Sequence, residues 1–136
     1  MALAALILLL GGCGGGGTSS SSKVATAQVR ARDFHISAPK QLPAGEVDIA
    51  FHNKGPNDHE LLVIRRDGEE EEELPARPSG LTIDEEGLGS AVAGALEPGE
   101  KGVRHLRVKL RPGHYELICN MAGHYYGGME AEVTVQ

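Results

Sequence analysis

The stretch Cys119-Asn120-Met121-Ala122-Gly123-His124-Tyr125-Tyr126-Gly127-Gly128-Met129 sets a thiol, an imidazole and a thioether at C-x4-H-x4-M spacing. Strand-like alternation flanks it. Tyr115, Leu117 and Cys119 share one face before it; Met129, Ala131, Val133 and Val135 share one face after it, with Glu130, Glu132 and Thr134 on the other. The segment is therefore expected to be a hairpin-like loop that brings the three side chains around one point. Gly123, Gly127 and Gly128 let such a loop fold tightly. A free cysteine by itself is most often a buried core thiol. Joined by an imidazole and a thioether at this spacing, it belongs instead to a donor set for a soft metal ion.

The ligand set of blue copper needs a second imidazole. His59 is the candidate, because it follows the loop Asn53–Asp58, with Gly55 and Pro56 inside it, and opens the apolar run Leu61-Leu62-Val63-Ile64. From there a side chain can face the end of a sandwich. His52, His105 and His114 compete with it; His52 and His114 fall on strands or at a turn and read as structural or solvated. Met121 competes with Met129 as the thioether. Zinc is the weaker metal, since a thioether is a poor zinc ligand. The loop has no second cysteine for a binuclear copper site, and the chain has no His-Cys-His run of multicopper oxidases. No Ser/His/Asp order and no phosphate-cradling glycine loop points to an enzyme.

The phrase Phe51-His52-Asn53-Lys54-Gly55-Pro56-Asn57-Asp58-His59, together with the Cys119–Met129 loop, resembles the cupredoxins, in which a loop beginning with Asn and containing Gly precedes the first histidine ligand. The resemblance covers roughly Lys23 to Gln136 outside 67–102, and the loop spacing is more similar to rusticyanin-like and sulfocyanin-like members than to plastocyanin. It implies an all-β, Greek-key antiparallel sandwich holding one type 1 copper that cycles between Cu(I) and Cu(II). Cys119 would supply the short Cu–S bond. His59 and His124 would be the equatorial imidazoles, with the more exposed His124 as the electron port, and Met129 would be the weak axial ligand. Tyr125 and Tyr126 either shape the surface around that port or simply pack over the loop. The implied function is transfer of single electrons between redox protein partners, cytochrome- or oxidase-like, by a monomer that is not an enzyme. The alternative is copper binding and delivery among copper-handling proteins. Three positions depart from the family: Glu60, Asn120 and Ala122 stand where Asn, Ser or Thr, and Pro are common.

Outward from the site, Val24 to Ile36 reads as one strand with imperfect alternation, and Pro39, Pro43 and Gly45 punctuate a turn. Val47, Ile49 and Phe51 alternate with Asp48, Ala50 and His52 as a half-buried strand. Glu60 to Arg66 is apolar enough for a central strand. Val103, His105 or Leu106, Val108 and Leu110 give another, ended by the turn Arg111-Pro112-Gly113. Six or more short strands with little helix argue for an antiparallel sandwich. The segment 67–102 is rich in Glu, Gly and Pro and carries no strong strand signal. It is expected to be an excursion off the sandwich, with a short helix within Asp84 to Leu96 capped by Asp84 or Thr82.

The remainder of the 136 residues is an address. Ala2 to Leu10 form an apolar stretch too short to span a bilayer and of signal-peptide length. Leu10-Gly11-Gly12-Cys13 resembles the bacterial lipobox, although no Lys or Arg precedes the apolar run. The chain thus divides into a lipoprotein signal peptide (1–12), a lipidated Cys13 with a flexible Gly/Ser tether (13–22), and a cupredoxin domain (23–136). This implies an extracytoplasmic, membrane-anchored protein. Cys13 and Cys119 have separate chemical tasks, so no disulfide between them is expected. The net charge of −6, much of it from Glu69–Glu73, and the lack of a basic stripe argue against nucleic-acid partners. The acidic run reads as a solvated loop.

Overall fold

A computed structural model describes residues 23–66 and 73–136; the signal, Cys13, the tether and most of the acidic run lie outside the described residues. Strand β1 (Ala25–Arg32) turns at Asp33-Phe34 into β2 (His35–Ser37), and β3 (Gln41–Leu42) precedes β4 (Gly45–Asn53) and β5 (His59–Arg66). After a one-turn helix α1 (Glu85–Leu88) and a 3-10 turn (Gly89–Ala91) come β6 (Val92–Gly99), β7 (Gly102–Leu110), β8 (Gly113–Ile118) and β9 (Glu130–Val135). One sheet has the order β2-β1-β4-β7 and the other β3-β9-β8-β5-β6. The core lies between them.

Alternation decides which side chains enter that core. Val47, Ile49 and Phe51 of β4 are fully buried, as are Val29 of β1 and Leu61 of β5. On β7 the inward set is Leu106, Val108 and Leu110, while Val103 and His105 face out. Tyr115, Leu117 and Cys119, then Met129, Val133 and Val135, line the same core, as their alternation predicts.

Three expectations need correction. The segment Val24 to Ile36 is a hairpin, broken where Phe34 takes a φ of 57°. The sandwich is not wholly antiparallel: β1 pairs parallel with β4, and β3 with β9. Long connections between the paired strands permit this, and alternation alone does not carry strand direction. Finally, 67–102 does not leave the sandwich entirely. Val92–Gly99 is an edge strand paired with β5, and the helix is confined to one turn with Asp84 at its N-cap position but no side-chain capping bond. The strand was hidden because Ala93, Gly94, Ala95, Pro98 and Gly99 have low strand propensity; proline is tolerated there because the strand is an edge.

Residues 73–91 cover the outer face of the second sheet. Leu74 and Ile83 pack against Leu62, Ile64 and Ile118 in a second apolar cluster. Burial on both faces explains why Leu61 to Ile64 form an unbroken apolar run. Asn120 fastens this cover: its Oδ1 accepts from the Ile83 backbone N–H at 2.6 Å, and its Nδ2 donates to the Ile83 carbonyl at 3.1 Å and to Glu85 Oε1 at 2.8 Å. Asn53 organises the other approach to the site. Its Oδ1 accepts from the Gly55 N–H at 2.7 Å, and its Nδ2 donates to the carbonyls of Asn57 and Gly99 at 2.9 and 3.0 Å.

Both asparagines are nearly inaccessible, Asn53 at 1% and Asn120 at 6% exposure, so truncation leaves buried backbone groups without partners. Asn53→Ala and Asn120→Ala are each expected to lower unfolding free energy by about 2–4 kcal/mol, measured by urea denaturation of the metal-free protein. A loss below about 0.5 kcal/mol, as for an ordinary surface change, would contradict these roles.

Candidate metal centre

Four backbone segments meet at one end of the sandwich. His59 enters as the first residue of β5, with its backbone carbonyl held by Arg104 Nη2 of β7 at 2.7 Å. Arg104 also donates to the Glu97 carbonyl, so one guanidinium ties β5, β6 and β7 together beside the histidine. Cys119 follows directly on β8, and its N–H donates to the Met129 carbonyl at 3.1 Å, closing the ligand loop at its base. Within the loop, the His124 N–H bonds the Met121 carbonyl at 2.8 Å and the Met129 N–H bonds the His124 carbonyl at 3.0 Å. These tight turns place Gly123 and Gly128 at φ of 79° and 93°, a region that glycine occupies without strain. The Gly123 N–H also bonds the Leu81 carbonyl at 2.8 Å, joining the loop to the segment over the second sheet.

The result is a convergence of donors. Cys119 Sγ lies 3.8 Å from His59 Nδ1 and 3.4 Å from His124 Nδ1, and the three ligand atoms all fall within 4.8 Å of one another. An ion bonding one sulfur and two imidazole nitrogens in a plane, at ordinary metal–ligand lengths, holds S and N donors roughly 3.8 Å apart. The observed separations are therefore those of a site shaped for an ion. The two nitrogens facing the sulfur are both Nδ1, and the imidazole planes are inclined at 57° with centroids 5.2 Å apart. His59 and Cys119 are wholly buried, whereas His124 is partly exposed. Met129 is also fully buried, on the core face beside them. Met121 is half-buried and packs against the core.

Burial biases the protonation of two of these side chains. It lowers the pKa of His59, with help from the neighbouring His124 and against the pull of Asp33. His59 is thus biased towards the neutral imidazole that a metal requires. Burial raises the pKa of Cys119, opposed by hydrogen bonds to the sulfur from the backbone of Glu60 and Met121. These two bonds are ready-made support for a thiolate once a cation replaces the proton. Glu60 itself is pushed up to about 7 by burial and by Glu85 and Glu97, so this departure from the family pattern need not place a full charge beside the sulfur at neutral pH.

His59, Cys119 and His124 bring their donor atoms together, with Met129 buried in the same core, and the competing histidines bring none to that cluster. His52 bonds Gln28 Oε1 at 2.6 Å, His105 bonds Asp48 Oδ2 at 2.9 Å, and His114 is exposed. Tyr125 packs on the second apolar cluster and meets Glu116, while Tyr126 is half exposed and edges onto Tyr125. Sequence reasoning passed over Asp33 and Phe34, which approach His59 and His124 from the β1–β2 turn. The only sequence signal was the imperfect alternation near them. A thiolate, two imidazoles and a nearby thioether fit a single type 1 copper ion, and fit zinc less well.

No protein-family model matches the sequence, and no curated protein does. Solved structures are similar in shape. Dithionite-reduced auracyanin of the photosynthetic bacterium Roseiflexus castenholzii aligns with TM-score 0.59 at 19% identity over 82% of this chain and 97% of that one. Auracyanin A, a "blue" copper protein of Chloroflexus aurantiacus, aligns with TM-score 0.62 at 17% identity over 84% and 100%. Rusticyanin of Thiobacillus ferrooxidans gives 0.57 at 16% over 84% and 79%. In the arrangement of its two sheets and of the loop that joins β8 to β9, the chain has the cupredoxin fold.

Proposed function

We propose that the protein is a type 1 copper protein that carries single electrons and is not an enzyme. The observation that supports this most is the meeting of His59 Nδ1, Cys119 Sγ and His124 Nδ1 at one point shut off from water on all sides but that of His124. Bound copper would supply a one-electron couple, Cu(I)/Cu(II). Cys119 and His59, both wholly buried, would hold the ion from its inner side. His124, partly exposed and with the exposed Phe34 ring tilted against it, offers the edge by which a partner comes within electron-transfer reach. Met129 would supply the thioether to the ion in this reading, which its burial and its backbone bonds to both Cys119 and His124 support. A cage built into strands and buried hydrogen bonds resists rearrangement as charge changes, which suits a relay.

The reading extends to place and partners. The apolar N-terminus and the Leu10-Gly11-Gly12-Cys13 pattern support a lipid anchor on Cys13 that holds the domain at a membrane outside the cytoplasm. Redox proteins at that surface are its proposed donors and acceptors, with the domain acting as a monomer.

Copper-loaded protein is expected to absorb intensely at about 600 nm and to bleach reversibly on reduction. Cys119→Ser should abolish the band, and Met129→Leu should keep it while raising the reduction potential. Colourless uptake of Cu(I) alone would point to copper delivery instead. Copper affinity should also depend on pH. Because burial raises the Cys119 thiol pKa, the metal-free protein holds that proton at neutral pH and must release it on binding. Affinity measured by chelator competition should therefore rise about tenfold per pH unit between roughly pH 7 and 8; a flat profile would show that the thiolate is not a ligand.

A further inference from the structure

The turn between β1 and β2 touches both imidazoles. Asp33 Oδ1 lies 3.1 Å from His59 Nε2, the nitrogen facing away from Cys119. Both atoms are buried, and neither has a hydrogen-bond partner elsewhere among the described residues. The second carboxylate oxygen, Oδ2, accepts from Asn57 Nδ2 at 2.7 Å, which fixes the carboxylate from the loop that leads into His59. One residue on, the Phe34 ring tilts against His124 with centroids 5.4 Å apart. The ring also lies over Gly127: a Cβ there would stand 2.3 Å from Phe34 Cδ1, so only glycine admits the ring. Phe34 holds this place at a φ of 57°, uncommon for a bulky residue and sustained only by the surrounding packing.

From this geometry we infer that Asp33 is the positioning residue for His59, and that the Asp33-Phe34 turn fixes the orientation of both imidazoles from outside the ligand set. A histidine that donates its Nε2–H to a carboxylate keeps the Nδ1 lone pair free for a metal and becomes a more basic ligand. Asp33 Oδ1 and His59 Nε2, 3.1 Å apart and both otherwise unpartnered among the described residues, would meet that need with one hydrogen bond on a small rotation of the ring. The carboxylate charge also favours the higher oxidation state of the ion and so lowers the reduction potential. The effect on the ion rests on the copper reading above; the effect on the ring does not.

The test compares wild type with Asp33→Asn and Asp33→Ala. Long-range proton–nitrogen NMR of the metal-free protein, at a pH where His59 is neutral, should show a single Nε2–H tautomer in the wild type. Asp33→Asn should retain it, because the amide oxygen still accepts, and Asp33→Ala should give a mixture. In copper-loaded protein, Asp33→Ala should weaken Cu(II) binding by about 10–100-fold, and Asp33→Asn should raise the reduction potential while leaving the tautomer alone. An unchanged tautomer in Asp33→Ala would overturn the inference, whatever happens to stability. A wild type that takes up no copper would sink the functional reading instead, and the tautomer comparison would still decide the role of Asp33.

Discussion

A buried sulfur facing two buried-side imidazole nitrogens is the constraint around which this molecule is arranged. Three donors at 3.4 to 3.8 Å from sulfur to nitrogen have no strong attraction of their own. Desolvation disfavours a thiolate there, and the raised thiol pKa of Cys119 records that penalty. The arrangement persists because each donor is delivered by backbone that the rest of the fold has already fixed. His59 begins a strand buried on both faces, Cys119 directly follows the neighbouring strand, and His124 sits in a loop closed by the bonds between Cys119, His124 and Met129. A cation that stabilises the thiolate turns this stored cost into affinity.

Seen this way, the segment over the second sheet is part of the site's foundation. It buries Leu62, Ile64 and Ile118 from outside, and it grips the ligand loop twice, through Asn120 to Ile83 and through the Leu81 carbonyl to Gly123. Asn120 stands where the family commonly has a hydroxyl residue. Its three hydrogen bonds give that residue a structural purpose: the amide accepts from Ile83 N–H and donates twice, to the Ile83 carbonyl and to Glu85, whereas a hydroxyl has a single proton to donate.

The legibility of the sequence varied with the strength of each local signal. The ligand loop was readable because three chemically distinctive residues, Cys119, His124 and Met129, recur at short spacing between two clean alternations. His59 was readable because a Gly/Pro loop and an apolar run bracket it. Strand direction was not readable: Ala25–Arg32 beside Gly45–Asn53 alternates identically whether the pair is parallel or antiparallel. Val92–Gly99 escaped because Gly94 and Gly99 interrupt its inward face, Ala93 and Ala95 weaken its outer one, and its edge carries a proline. The Asp33-Phe34 turn escaped for a different reason. It contains neither glycine nor proline, and Phe34 adopts a left-handed conformation because its ring packs on His124 and Gly127, a tertiary contact that no window of neighbouring residues reveals.

The most direct measurement is a crystal structure of copper-soaked protein with anomalous data collected at the copper edge. The account predicts one strong peak per molecule, within bonding distance of His59 Nδ1, Cys119 Sγ and His124 Nδ1 together. A peak bound elsewhere on the surface, or a copper-free cluster in crystals grown with excess copper, would contradict it.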